Sequence, residues 1–294
     1  MLNIAAVVIL YNPEEIGITA VIQNIQSYSH CMKKIYIIDN SKNEHTEFLQ
    51  YIPDCIYIFN ENKGGIGGAQ NRGCEKARKD GFDWVMTMDQ DTIFEQSQLE
   101  QYLKNIEDFI LKDESVKSFS LAAENITPHS HWTDAIKNIL RPIKRKIFGA
   151  KKLPPEYEYK DRCIASANVM NLSVWEKIGG FDEELFIDQV DYDFCYRLRN
   201  ENFKIVKFNS VHINQHYGEA HGFTLFRKHY MKYSRFRYYY CIRNSYIMIA
   251  RYPQYKDFYK KYISDLFFDN CINSIHCAKN LSIFLKAKRD AALI

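Results

Sequence analysis

Two carboxylates one residue apart, Asp89 and Asp91, close the apolar stretch WVMTMDQDT at 84–92. Side chains offset in this way can hold a hard divalent cation, Mg2+ or Mn2+, which keeps several waters and takes its other ligands from substrate phosphates. The cation neutralises charge on a departing diphosphate. The pair alone is a weak signal, because acids also end strands as turn formers. A second group, Asp188, Asp191 and Asp193, crowds the start of FIDQVDYDFCYRLR with Arg197 beside it. A helix dipole favours acids at such a start, so plain capping accounts for an acid there. It does not account for the crowding. Like charges so close raise one another's pKa, and a carboxylate raised in this way suits a general base. His212 and His216 flank the end of a strand-like run, and His216 is a candidate ligand for metal or phosphate.

The segment NENKGGIGGAQNRG (60–73) follows one strand pattern and opens a helix pattern. That is the setting of a phosphate cradle. Neither common nucleotide fingerprint fits. Gln70 stands where the dinucleotide motif wants Gly or Ala, and no Gly-Lys-Ser/Thr follows. The loop either brings backbone close to something or is simply a flexible turn.

The elements that position these residues alternate. IAAVVILY (4–11), KIYIIDNS (34–41), CIYIFNEN (55–62) and DWVMTMDQD (83–91) read as strands. PEEIGITAVIQNIQSY and LEQYLKNIEDFIL carry helical periodicity, and a helix runs from the glycine loop to about Lys79. VKSFSLAAEN is another strand. This alternation predicts an α/β fold, a mostly parallel central sheet with helices on both faces. Ligands of such sheets bind outside the carboxyl ends of the strands, so Asp39, Asn60, Asp89 and Asp91 should converge on one crevice. Further on, Ser173 and Glu176 have the spacing of a capping box, and Gly179-Gly180 closes that helix. Residues 1–220 read as the α/β domain, and 221–294 as a helical, basic and aromatic extension.

Bulk properties exclude several classes. Of 294 residues, 46% are apolar, which supports a sizeable core and argues against disorder. A net charge of +3 gives no global signature of nucleic-acid binding. Two local basic clusters, RPIKRKIFGAKK (141–152) and FRKHYMKYSRFRYYYCIR (226–243), suit either solvated faces or contact with anionic lipid headgroups or a lipid-linked phosphate. Eight cysteines without a C-x-x-C pair argue against a zinc ribbon or a disulfide framework and for a reducing cytoplasm. The apolar N-terminus lacks a basic n-region and reads as a first strand. No run approaches the ~20 apolar residues of a membrane span.

In combination, AAVVILYNP, IYIIDNS, NENKGGIGGAQNRG, MTMDQD, IGGFDEELFIDQVDYDFCYR and HYG resemble, in this order, the family 2 glycosyltransferases, inverting enzymes with a GT-A fold. FIDQVDYDFCYR and YYYCIRNSYIMIARYP are most similar to the rhamnosyltransferase branch, which builds O-antigen, capsule or related polysaccharide. The resemblance implies that Tyr11 and Asn12 line the nucleotide pocket and that Asp39 bonds the base. Asn62, Gly65, Asn71 and Arg72 would border the nucleotide-sugar. Asp89 and Asp91 would form the metal-binding pair, with Asp91 the more direct ligand and His216 close to the diphosphate or metal. Asp191 would be the catalytic base, and Arg197 a substrate-binding neighbour. Val190 stands where many relatives carry Glu, a departure common in this branch. The implied donor is dTDP-L-rhamnose, and the implied acceptor a glycan on polyprenyl diphosphate. The tail would touch the inner face of the cytoplasmic membrane or pair two chains. A same-fold transferase using a UDP-sugar and a non-enzymatic lipid- or nucleic-acid-binding module are the other readings.

Overall fold

The computed structural model describes residues 2–125, 154–215, 220–221, 230–231, 233–272 and 277–294. His216 and the basic cluster 141–152 lie outside the described residues.

Strand β1 (Ile4–Leu10) is apolar throughout because both of its faces are covered. Ile4, Ala6, Val8 and Leu10 enter one core, while Ala5, Val7 and Ile9 enter another. Strands β2 (Ile35–Asp39), β3 (Cys55–Phe59) and β4 (Trp84–Asp89) join it in parallel, in the order β3-β2-β1-β4. Helices Ile18–Ser29 and Gln96–Lys112 cover the first face through Val21, Ile25, Leu99 and Tyr102. Helices Gly65–Lys79 and Val190–Asn200 cover the second through Ala69, Cys74, Phe194 and Leu198. Each such aliphatic or aromatic side chain contributes roughly 1.5–3 kcal/mol when fully buried.

Beyond β4 the sheet is mixed. Strand β8 (Asn168–Asn171) runs antiparallel to β4 and to β6 (Val116–Asn125). Strand β6 is parallel to β9 (Lys204–Gln215), while β5 (Thr92–Ile93) and β7 (Tyr157–Lys160) are antiparallel to β9. The expected parallel sheet therefore holds for the N-terminal half. The reason for the change is local. The chain reaches β8 from the carboxyl end of β4, where the Thr87 hydroxyl donates to Ala165 O and Ser166 bonds Asp89. From there the next strand can only run back.

Register places the acids. Ile9 pairs with Asp89, and Leu10 with Asp39, so both carboxylates stand at one edge of the sheet. The expected capping box is shifted. Asn171, two residues before Ser173, caps the helix Leu172–Lys177 by accepting from Val174 N–H at 3.2 Å. It leaves β8 in an extended conformation and reaches the free amides first. Gly179 and Gly180, both with positive φ, close that helix.

The C-terminal part is helical: Arg235–Arg251, Lys256–Phe267 and Cys277–Ala291 share a core of Tyr238, Cys241, Ile242, Ile263, Leu266 and Ala287. Among the described residues no helix is long and apolar enough to cross a membrane.

The glycine-rich segment meets the chain itself. A Cβ on Gly65 would stand 2.1 Å from Phe186 O, and one on Gly67 would stand 3.0 Å from Asp182 O. Ile66 N–H donates to Phe186 O at 2.7 Å. What the glycines bring close is therefore the segment 182–186, which leads into the acidic helix. Gly65 also has φ +61, a conformation that disfavours any side chain. Gly65→Ala should cost more than about 1 kcal/mol in chemical unfolding. An unchanged midpoint would contradict this packing.

Candidate active site

A cavity of about 590 Å³ opens at the carboxyl edge of the sheet. Its wall includes Tyr11, Gln70, Asp89, Asp91, Asp188 and Asp191. This volume lies within the ordinary range for small-ligand sites.

Each wall residue has a local reason for its position. Asp89 ends β4 and accepts a hydrogen bond from the Ser166 hydroxyl. Gln90, between the two acids, clamps the end of β1: Tyr11 N–H donates to its Oε1 and its Nε2 donates to Tyr11 O, both at 2.9 Å. Asn24 in turn donates to Gln90 O at 2.9 Å. Gln70 projects from the glycine-rich helix and is buried, and its Oε1 has no partner among the described residues. A buried, unmatched acceptor in a cavity wall fits a ligand that brings hydroxyls or bound water.

The three crowded aspartates have different partners. Asp188 forms a two-point ion pair with Arg237, at 3.1 Å to Nε and 3.0 Å to Nη2. Asp193 is fully buried and accepts from Arg197 (2.7 Å), Arg251 (3.2 Å) and the Tyr252 hydroxyl (2.8 Å). Asp191 has no ion-pair partner among the described residues. It accepts from backbone amides alone, that of Tyr192 at 2.9 Å and its own. Burial pushes its pKa up to about 7, and the charges of Asp188 and Asp89 push the same way.

The loop before Asp191 is held in an unusual shape. Phe186, Asp188 and Gln189 all have positive φ. Asn244, buried on the helix Arg235–Arg251, donates from Nδ2 to Leu185 O, Ile187 O and Asp188 O, each at 2.8 Å. The Tyr259 hydroxyl donates to Gln189 at 3.1 Å. Residues in such conformations each cost roughly 1–3 kcal/mol and persist where the surroundings over-determine them.

Of the residues singled out in the sequence, Tyr11, Asp89, Asp91, Asp188 and Asp191 come together. His216 lies outside the described residues, and the others stand elsewhere. Asp39 is fully buried and accepts from Ser41 N–H (2.8 Å) and the Tyr57 hydroxyl (2.6 Å), with His45 Nδ1 at 2.8 Å. Burial opposes the charged His45 ring, but Asp39 and Glu14 outweigh it and raise the pKa. Asn60 is buried and donates to Asn40 at 2.7 Å; Asn40 donates to Gly65 O at 2.9 Å. Asn12 N–H donates to Ser41 Oγ, away from the cavity wall. Asn71 ties the glycine-rich helix to Phe181, donating to its O at 2.9 Å and accepting its N–H at 2.7 Å. Asn62 and Arg72 are outside the wall, and Gly65 touches Phe186. Arg197 lines a different cavity with Arg251 and Tyr252. One turn along the helix from Asp193, it serves that buried acid.

Sequence reasoning missed Gln90, Ser166, Gln70, Arg237 and Asn244. Gln90 was the spacer of a motif, and its clamping of Tyr11 leaves no pattern. Arg237 and Arg243 belong to the basic aromatic cluster that suits either a solvated face or lipid contact. Arg237 pairs with Asp188, and Arg243 bonds the carbonyl of Glu184.

Among the described residues no group of three or more His, Cys, Asp and Glu gathers to hold a metal. Asp89 and Asp91 nevertheless share one cavity wall. An oxygen-only pair suits Mg2+ or Mn2+ completed by waters and substrate phosphates.

Residues 5–145 match the family model described as Glycosyl transferase family 2. Over these residues the chain is similar to the family 2 glycosyltransferases. It is 26% identical over 200 residues to dTDP-rhamnosyl transferase RfbF of Shigella flexneri, covering 67% of this chain and 64% of that one. It is 25% identical over 224 residues to rhamnosyltransferase WbbL of Escherichia coli (strain K12), covering 70% and 81%. The alignment thus spans less than two thirds of the first relative's length. The fold is that of GT-A glycosyltransferases. GalNAc-T7, crystallised with UDP, GalNAc and Mn2+, superposes with a TM-score of 0.55 at 12% identity, over 74% of this chain and 44% of that one. Residues 1–349 of S. aureus TarS superpose with a TM-score of 0.50 at 12% identity, over 98% and 71%.

The raised Asp191 pKa has a consequence for stability. The folded state holds this carboxyl protonated to about pH 7, against an ordinary value of 3.8. Ionisation therefore costs the folded state nothing well below pH 4, progressively more up to about 7, and a constant amount above. The melting-temperature gain of Asp191→Asn should be absent at pH 4, grow to pH 7 and then level off. A gain independent of pH would contradict the shift.

Proposed function

We propose that this protein is an inverting glycosyltransferase that moves L-rhamnose from dTDP-L-rhamnose onto a lipid-linked glycan in the synthesis of a cell-surface polysaccharide. The observation that carries the chemistry is the Asp191 carboxyl, without an ion-pair partner among the described residues and pushed up to about 7, in one cavity with Asp89 and Asp91. The donor is supported by the similarity to two rhamnosyltransferases, one of them a dTDP-rhamnosyl transferase.

In this reading the nucleotide-sugar lies along the carboxyl edge between Tyr11 and the acids. Asp191 accepts the proton of an acceptor hydroxyl. That oxygen forms a bond to the anomeric carbon as the bond from this carbon to the diphosphate breaks on the opposite side. The diphosphate leaves with the bonding electrons, and the configuration inverts. Base catalysis of this kind contributes about 10²–10⁴-fold. Mg2+ or Mn2+, held by Asp89 and Asp91 with His216 as a further candidate ligand, would neutralise charge on the diphosphate. Ser166 and Gln90 hold this edge of the sheet in place, and burial leaves Asp191 to titrate near neutrality.

Asp191→Asn should bind dTDP as the parent does and transfer sugar about 10²–10⁴-fold more slowly. For the parent, kcat/KM should rise with pH through about 7, because the base acts only when deprotonated. Normal turnover by the variant would remove Asp191 from the chemistry.

A further inference from the structure

A second cavity of about 530 Å³ adjoins the first. Ile164, Tyr192 and Phe258 line both, and Tyr192 directly follows Asp191. The second cavity reaches neither Tyr11 nor Asp89 nor Asp91, so it extends away from the donor end.

Its chemistry differs from that of the first. Arg162 stands 3.7 Å over the Phe258 ring and 5.1 Å from the centre of the Tyr192 ring. Its Nη1 donates to the Tyr196 hydroxyl at 2.9 Å. No carboxylate pairs with it among the described residues. Lys160 and Lys207 stand in the same wall. The nearby acids already have cations: Glu158 faces Lys160 at 2.9 Å and Lys207 at 3.8 Å, and Asp161 faces Arg199 at 3.2 Å. Four cations thus surround two carboxylates. Ser120, also in this wall, is 3% exposed, and its hydroxyl has no partner among the described residues.

A fixed guanidinium without a counter-ion presents its donors in a planar fork. That fork matches a phosphate or carboxylate. An unmatched buried hydroxyl is similarly explained by a missing ligand. Aromatic walls beside these groups suit the apolar faces of a sugar ring.

We infer that the cavity bounded by Arg162, Lys207, Ser120 and Phe258 is the acceptor subsite and that it selects an acceptor bearing an anionic group, a phosphate or a carboxylate, on or next to the sugar that is extended. The inference rests on the glycosyl-transfer reading above. It adds that the acceptor enters across Tyr192 to reach Asp191, and that acceptor charge is read away from the donor diphosphate.

The test is a titration followed through the arginine Nε–Hε resonances, with Arg162 assigned by its loss in Arg162→Gln. The full chain is first saturated with dTDP and Mg2+, then titrated with glucose 1-phosphate, glucuronate or methyl glucoside. At least one anionic sugar should shift the Arg162 signal with dTDP still bound, and methyl glucoside should leave it in place. The better anion tells phosphate from carboxylate. Lys207→Gln, at a partly exposed position, should weaken that anion several-fold and leave dTDP binding unchanged. No shift with either anion at tens of millimolar overturns the subsite, as does displacement of the anion by dTDP. If dTDP fails to bind while an anionic sugar still shifts Arg162, the anion site stands and the transferase reading falls.

Discussion

One amide holds the acidic loop in place. The Asn244 side chain donates to three successive-turn carbonyls, those of Leu185, Ile187 and Asp188, from a helix some 55–60 residues away in sequence. The loop it grips has three residues with positive φ and would not hold that shape alone. On its other side the loop presses on glycines 65 and 67, which have no side chain to obstruct it. The acidic helix therefore begins where two distant elements meet. The C-terminal helices are part of the site's framework, because Arg237, Asn244, Arg251 and Tyr259 all bond to the segment 182–193.

That framework also distributes charge. Three aspartates within six residues would repel if left alone. The C-terminal helices bring Arg237 to Asp188 and Arg251 to Asp193, while Arg197 reaches Asp193 from one turn along its own helix. Among the described residues Asp191 meets no cation, and burial holds its pKa near the neutral range. A single acid kept uncompensated among compensated neighbours is the arrangement that general-base work at neutral pH requires.

Much of this was legible in the sequence, and the limits have physical causes. Continuous apolar runs gave β1 to β4, because a strand covered on both faces has few polar alternatives. The position of Asp89 follows from the parallel register of β4 with β1. The mixed part of the sheet was not legible, since it depends on where the 161–167 loop meets β4. Polar residues at neighbouring strand ends looked alike but had different surroundings. Asp39 and Asn60 went into buried networks with His45, Tyr57 and Asn40, contacts between residues whose spacing carries no period. The glycines point in sequence either to a close backbone approach or to a flexible turn, and here they accommodate the chain's own Phe186 and Asp182. Arg197 sat close to the acids in sequence, but helical geometry matched it to Asp193 at four residues' distance.

The central claim is that Asp89 and Asp91 receive the diphosphate of a dTDP-sugar at the carboxyl edge of the sheet. Thermal shift with dTDP, UDP, GDP and CDP, each with and without Mn2+, tests it most directly. The account predicts a rise in melting temperature with dTDP that needs Mn2+ and is lost in Asp91→Asn. No rise with any of the four nucleotides, or a rise indifferent to both the metal and Asp91, would contradict it.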